Sequence, residues 1–365
     1  MEVIIFIAVI VVLIVVHEFG HLVAAKLSGM RVDEFGLGYP PRAAVLGRAG
    51  ETLITLNWLP FGGFVKIYGE DGSENAADPR AFGARPRILQ AFVLVAGVAM
   101  NLLFAYVLIT GALVAGTPRA LTANEAAQAK DVQLAVANVL PGTPAADAGL
   151  LAGDTLLSGQ DANGSWQDGS PQSFTAFVES SGGEPISLTV KGTTGGERTV
   201  SVTPAAGIVP GDTSRYALGL EVASVGVLPV SFWSAFSQGA VLTWGVVTIT
   251  ASGLWHFFAG IFTLHANLAQ VAGPIGIAGA IDGAAKTGFG DLLSLMAIIS
   301  VNLALINLIP VPALDGGRLL FVAIEAVLRR PIKPSIARAV NTVGFAFLIL
   351  LMVLVSVHDV YRIIG

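Results

Sequence analysis

Long stretches of this chain contain no Asp, Glu, Lys or Arg, and no other feature constrains its fold as tightly. Apolar runs of about 20 residues match the hydrocarbon thickness of a bilayer, where each backbone amide must be bonded within its own segment, so such runs fold as helices. Only 12% of the 365 residues are charged and 54% are hydrophobic, with a mean hydropathy of +0.74. Soluble globular chains carry roughly 25% charge. A membrane protein is implied. The middle third has an ordinary soluble composition, which predicts a soluble domain inserted between spans.

Four segments reach or approach spanning length: 3–25, 88–115, 292–327 and 339–357. The third is too long for one straight helix, and Pro310 and Pro312 are placed to break it. Between the first two, Gly36, Gly38, Pro40, Pro41 and Gly47 precede ETLITLNWLPFGGFVKIYGE, whose alternation reads as short strands and a hairpin. Such a sheet cannot offer open edges to lipid and must dip against protein or a water-filled cavity. Segment 228–264 carries Phe and Trp at roughly helical spacing, interrupted by Ser, Thr, Gly and His. It reads as one or two interfacial helices, with a fifth span as the alternative. In the insert, ISLTVKG and ERTVSVTP, separated by Gly192, Gly195 and Gly196, predict a strand pair. The expected fold is therefore a mainly α-helical membrane protein with four transmembrane helices, a membrane-associated β-hairpin region and one inserted β domain. Its parts are 1–119, 120–222 and 223–365.

Eight Lys and Arg residues lie between the first two spans, from Lys26 to Arg87, whereas 117–229 holds only five against eleven acids. By the positive-inside rule the hairpin region is cytoplasmic and the insert lies outside. Arg318, Arg329, Arg330, Lys333 and Arg338 put the last connection on the hairpin's side, leaving both termini outside. The net charge of -5 and the lack of basic runs argue against a nucleic-acid partner. The first apolar run has no basic flank and leads into HEFGH, so it is expected to be a span and not a cleaved signal peptide.

With no cysteine in the chain, a transition metal must be held by His and carboxylate. HEFGH at 17–21 puts His17 and His21 at i and i+4 on one helix face, within reach of one ion, with Glu18 beside them to take a proton from water. Burying this set in an apolar span costs several kcal/mol, and ionisable residues there mark function. A catalytic zinc commonly has three protein ligands and one open position. Asp315, in VNLALINLIPVPALDGGRLL, is the candidate third ligand, since Pro310 and Pro312 unwind the backbone and Gly316 and Gly317 permit a turn. The alternative is a DGGR cap with Asp315 paired to Arg318. An exposed strand edge in the Gly36 to Lys66 region, with Gly36, Gly38, Gly62 and Gly63, could capture an unwound substrate by β-addition, or these glycines could serve ordinary turns. His256, His265 and His358 read as surface or interfacial residues.

HEFGH in the first span together with NLIPVPALDGG late in the chain resembles the site-2 protease family of intramembrane metalloproteases. GLGYP, PFGGFVKIYGE and AGPIGIAGA are similar to its bacterial regulator-of-sigma-E branch. The resemblance implies that His17, His21 and Asp315 bind Zn2+, that Glu18 activates water, and that Asn302 and Asn307 hold the unwound substrate or stabilise the intermediate. It also implies residence in the bacterial inner membrane with the active site toward the cytoplasm. The implied substrates are membrane proteins with a single transmembrane helix, such as anti-sigma factors or remnant signal peptides, cut within the lipid bilayer. VLPGTPAADAGLLAGDTLLS makes the insert resemble a PDZ domain through Gly149, Leu150, Gly153 and Asp154, although QDANGSWQDGS departs from that pattern. GPIGI at 273–277 could be a re-entrant turn. A transporter would instead predict inverted repeats and paired broken helices, and a silent scaffold would have no use for a buried Glu18.

Overall fold

Glu2–Leu27 forms one helix, α1, whose uninterrupted apolar residues up to Val16 leave no competing backbone partner, with HEFGH in its last third. Two long antiparallel strands follow, β1 (Val32–Ala49) and β2 (Thr52–Ile67). They are longer than the short strands expected, because each bends at bulges and pairs twice. Phe35 faces both Val65 and Ile54, and Gly36 faces both Phe64 and Thr55. Segment 34–37 is thus an interior strand, flanked by 63–66 on one side and 53–56 on the other. Helix α2 (Arg87–Val114) comes next. Residues 2–70, 78–167, 169–192, 196–209, 212, 214–228, 230–262, 273–330 and 332–364 are described by this computed structural model. They divide into one unit of Met1–Ala112 with Trp233–Gly365 and a second of Leu113–Phe232.

The second unit comprises β3 (Arg119–Ala120), α3 (Ala123–Ala126), β4 (Lys130–Val139), α4 (Pro144–Asp147), β5 (Thr155–Gln160), β6 (Ser165–Trp166), α5 (Pro171–Ser180), β7 (Ile186–Lys191), β8 (Glu197–Val202), β9 (Ala205–Ala206), β10 (Tyr216–Ala217) and β11 (Leu220–Val227). Its main sheet runs β3-β11-β4-β5-β7-β8, with β6 on β5. The expected strand pair is β7 and β8. Inward residues Ile186, Leu188 and Val190 alternate with outward ones and pack on Leu134, Leu156 and Phe174. Asp154, of the AGLLAGD turn, accepts the Leu151 N–H at 3.0 Å and the Arg198 guanidinium at 2.6 Å. Where QDANGSWQDGS departs from the PDZ pattern, Trp166 is buried and its Nε1 donates to Ser173 Oγ at 2.9 Å, so an aromatic ring fills the core there. A cavity of about 220 Å³ is lined by Phe174 and Val178 of α5 together with Tyr216, Leu218 and Leu220.

The first unit resumes with α6 (Phe232–Phe262), α7 (Pro274–Thr287), α8 (Phe289–Leu308), α9 (Asp315–Leu328) and α10 (Pro334–Ile364). Among the described residues five helices, not the expected four, are long and apolar enough to cross a membrane, the addition being α6. Its Ser, Thr and Gly residues lower hydropathy without breaking the helix, so of the one or two helices expected in 228–264 there is one, of 31 residues. The long third segment is interrupted as its prolines predict, between α8 and α9. GPIGI opens α7, with Pro274 at a helix start that needs no amide hydrogen. His265 lies outside the described residues.

Side-chain contacts fix the directions of these helices. Val93 and Asn101 of α2 meet His21 and His17 respectively, so α2 runs antiparallel to α1. On α8, Leu293 lies beside Gly111 and Ser300 donates to the Asn101 carbonyl at 2.8 Å, so α8 runs antiparallel to α2. Finally, α10 begins near the α8–α9 break, where Asn341 accepts the Ala313 N–H. It ends at the start of α7, where Asp359 accepts the amides of Gly273 and Gly276. Val9 and Leu13 of α1 and Ile281 of α7 form the core of the bundle, with Leu295, Met296 and Ile299 of α8 packed against them.

Candidate metal centre

Two imidazoles and one carboxylate converge although 294 residues separate His21 from Asp315. His17 Nε2 lies 2.9 Å from Asp315 Oδ2, His21 Nε2 lies 3.2 Å from the same oxygen, and the two Nε2 atoms are 3.1 Å apart. Each histidine is less than a tenth exposed, at 6% and 7%. The i, i+4 spacing on α1 delivers the histidines. Asp315 is delivered by the proline-interrupted turn, which leaves it in the first turn of α9. Gly316 and Gly317 are helical there, so their role differs from the turn expected. They admit the carbonyls of Ile309 and Val311 where any side chain would collide. Arg318 pairs with Glu70, at the foot of the hairpin.

The electronic arrangement tests whether a cation fits. His21 Nδ1 donates to the Val93 carbonyl at 2.8 Å, so in the neutral ring Nε2 carries a lone pair aimed at His17 Nε2 and Asp315 Oδ2. Electron-rich atoms so close repel one another unless a positive charge lies among them. Tetrahedral zinc ligands, each about 2.0–2.2 Å from the ion, stand roughly 3.2–3.6 Å from one another. The observed triangle lies within a few tenths of an ångström of that, and its donor types are those of a His, His, carboxylate site.

Helix α2 supplies the backing. Gly97 faces both rings: a Cβ built there would stand 2.7 Å from His21 Cε1 and 2.8 Å from His17 Cε1, closer still to His21 Nε2. Asn101 puts its amide 3.3 Å from His17 Nδ1, and among the described residues its buried Oδ1 has no partner. An amide's two ends are sterically alike, so turning it over brings Oδ1 to His17 Nδ1 as the acceptor that an Nε2 ligand needs. Sequence reasoning missed both residues. The available signal was Asn101 itself, a polar amide inside a charge-free span.

Of the other expected site residues, Asn307 Nδ2 stands 3.4 Å from His17 Nε2, whereas Asn302 donates to the Ile298 carbonyl of its own helix at 2.9 Å. Gly63 passes the acidic side chain, with its hypothetical Cβ 3.4 Å from Glu18 Cγ. Gly36 is interior to the bent sheet, paired on both sides, while Gly62 packs beneath the Tyr39 ring and Gly38 against the Leu59 carbonyl.

Residues 5–351 match Peptidase family M50. A Clostridium perfringens protein whose name carries the words zinc metalloprotease is 34% identical over 350 residues, 95% of each chain. The zinc metalloprotease RasP of Oceanobacillus iheyensis is 26% identical, with 96% of each chain covered, and the regulator of sigma-W protease RasP of Bacillus subtilis is 28% identical, again with 96% of each covered. With the metal motif, the apolar helices and full-length similarity in agreement, this chain belongs to peptidase family M50, the site-2 proteases, and is a zinc metalloprotease.

Proposed function

We propose that the protein hydrolyses peptide bonds within or near transmembrane segments of membrane proteins, with His17, His21 and Asp315 holding zinc and Glu18 as the catalytic acid/base. The observation that carries this reading is the convergence of the three donor atoms beside Glu18, inside a bundle of membrane-length helices. Zinc, when bound, polarises the scissile carbonyl and makes water acidic enough to lose a proton near neutral pH. Glu18 takes that proton on a carboxylate oxygen and delivers it to the leaving amide nitrogen. Asn307 is within reach to steady the substrate carbonyl, whereas Asn302, bonded to its own helix, acts at most indirectly. A substrate helix must unwind before attack. Segment 63–65 passes Glu18 and pairs with 35–37 on one side, and its other edge is the rail for β-addition in this reading, with Gly63 on it, Gly62 beside it and Gly36 and Gly38 behind it.

Four crossings, by α1, α2, α8 and α10, account for the helix directions better than five. The start of α8 lies level with the end of α2, so the chain between them crosses an even number of times. The start of α7 lies where α10 ends, on the side where α2 ends, so α6 is read as staying on the side it starts from. It lies in the interface. Trp233, Trp244 and Trp255 recur every eleven residues, which is close to three turns, and form one exposed stripe. The positive-inside rule then assigns the hairpin and the metal centre to the cytoplasmic side of the bacterial inner membrane and the insert to the outside. There the insert acts as a PDZ-like recruiter or size filter, with the cavity beside α5 as its peptide groove.

The test uses purified full-length protein and a single-span substrate in detergent. Glu18→Gln is expected to keep zinc and lose cleavage, and Asp315→Ala to lose both. Cleavage by Glu18→Gln, or zinc bound by Asp315→Ala as tightly as by wild type, would overturn these roles.

A further inference from the structure

The turn that presents Asp315 holds an unfavourable backbone conformation. Ala313 has a φ of +76°, a region disfavoured for any residue with a Cβ. Two features of α10 meet that turn. Asn341 Oδ1 accepts the Ala313 N–H at 3.3 Å. Three residues along the same helix face, Gly344 lies against Pro312 so closely that a Cβ there would stand 2.5 Å from its carbonyl oxygen and 2.8 Å from its carbonyl carbon. A strained conformation persists only where its surroundings over-determine it, and here those surroundings come from a helix that supplies no donor to the converging triad.

We propose that α10 is the brace of the metal centre, with Asn341 and Gly344 as positioning residues that hold the 311–314 turn in its left-handed form and thereby set Asp315 toward His17 and His21. The inference rests on Asp315 being the third ligand. Without the Asn341 bond the turn relaxes toward negative φ, and Asp315, two residues on, swings away from the imidazoles.

Two readouts on full-length protein in detergent separate this proposal from that reading: zinc affinity by competition with a chelator, and hydrogen exchange of the Val311, Ala313 and Leu314 amides in zinc-free protein. Asn341→Ala is expected to weaken zinc roughly five- to tenfold, the worth of one hydrogen bond, and to speed exchange. Asn341→Asp, which keeps the acceptor, should stay near wild type. The decisive variant adds Ala313→Gly to Asn341→Ala. Glycine holds positive φ without penalty, so most of the lost affinity should return, which a general folding defect would not allow. Zinc affinity within twofold of wild type in Asn341→Ala, or a loss that Ala313→Gly leaves unrepaired, would overturn the brace. Should Asp315→Ala itself keep zinc, the ligand reading fails and exchange alone decides: faster exchange in Asn341→Ala sustains the brace at the turn, and unchanged exchange removes it.

Discussion

Gly97→Ala is the smallest change expected to weaken the metal centre strongly. The added methyl would stand 2.7 Å from His21 Cε1 and 2.8 Å from His17 Cε1, where carbon atoms ordinarily rest about 3.5–4.0 Å apart. Both rings would have to retreat by about 0.7–1.3 Å. Metal geometry tolerates only about 0.2 Å. The helices cannot separate to make room cheaply, because α1 and α2 already touch through their backbones at Gly20, where a Cβ would meet the Ala96 carbonyl carbon and Met100 Cβ at 2.9 Å. Overpacking of this kind costs about 1–3 kcal/mol, which here falls on the geometry of the ligands and corresponds to a loss of up to about 100-fold in zinc affinity. The assay is chelator competition on purified protein, with Gly111→Ala as the control on the same helix. There the new methyl would meet Leu293 Cδ1 at an ordinary 3.6 Å, and zinc binding should be unchanged. If Gly97→Ala bound zinc as tightly as the Gly111 variant, the account of α2 as a close-fitting back wall would be wrong.

Two further outcomes are expected. Asp359→Ala removes both carboxylate oxygens that accept the Gly273 and Gly276 amides, at 3.2 and 2.8 Å, and should lower unfolding stability in detergent by about 1–3 kcal/mol while leaving zinc affinity intact; a midpoint equal to wild type would refute the clamp. Because the chain contains no cysteine, single cysteines at Ser237, Thr248 and Ala259 report on α6 alone. An impermeant maleimide should reach all three from the side of the insert, and labelling of Ala259Cys only from the opposite side would make α6 a true span.

What the sequence could disclose about the site follows from how local each requirement is. HEFGH is legible because the spacing that aims two imidazoles the same way is a property of one helix, satisfied within five residues. Asp315 is legible at one remove, since Pro310 and Pro312 announce an interrupted helix and an acid after the break needs a reason to be there. Gly97, Asn101 and Asn341 carry no such mark. Each meets its partner across a helix–helix contact whose register depends on packing throughout the bundle, and a glycine or an asparagine in an apolar run looks the same whether it faces lipid or an imidazole ring. The turn expected at Gly316 and Gly317 failed for the same reason: their small size serves packing against carbonyls of the preceding segment, which only the folded chain brings near.

The number of crossings shows the same divide at larger scale. Hydropathy weighs length and composition one segment at a time, and by that measure α6 ranks with α1, α2, α8 and α10. Crossing a membrane is a collective property, however, because directions must alternate and both ends of every connection must lie on the right side. The contacts of Leu293 with Gly111, Ser300 with Asn101, and Asp359 with Gly273 each relate helices far apart in the chain. Together they are the contacts on which the proposed count of four crossings rests. The tryptophans of α6, one of them midway along the helix where a spanning segment would place aliphatic residues, agree with a rod lying along the interface.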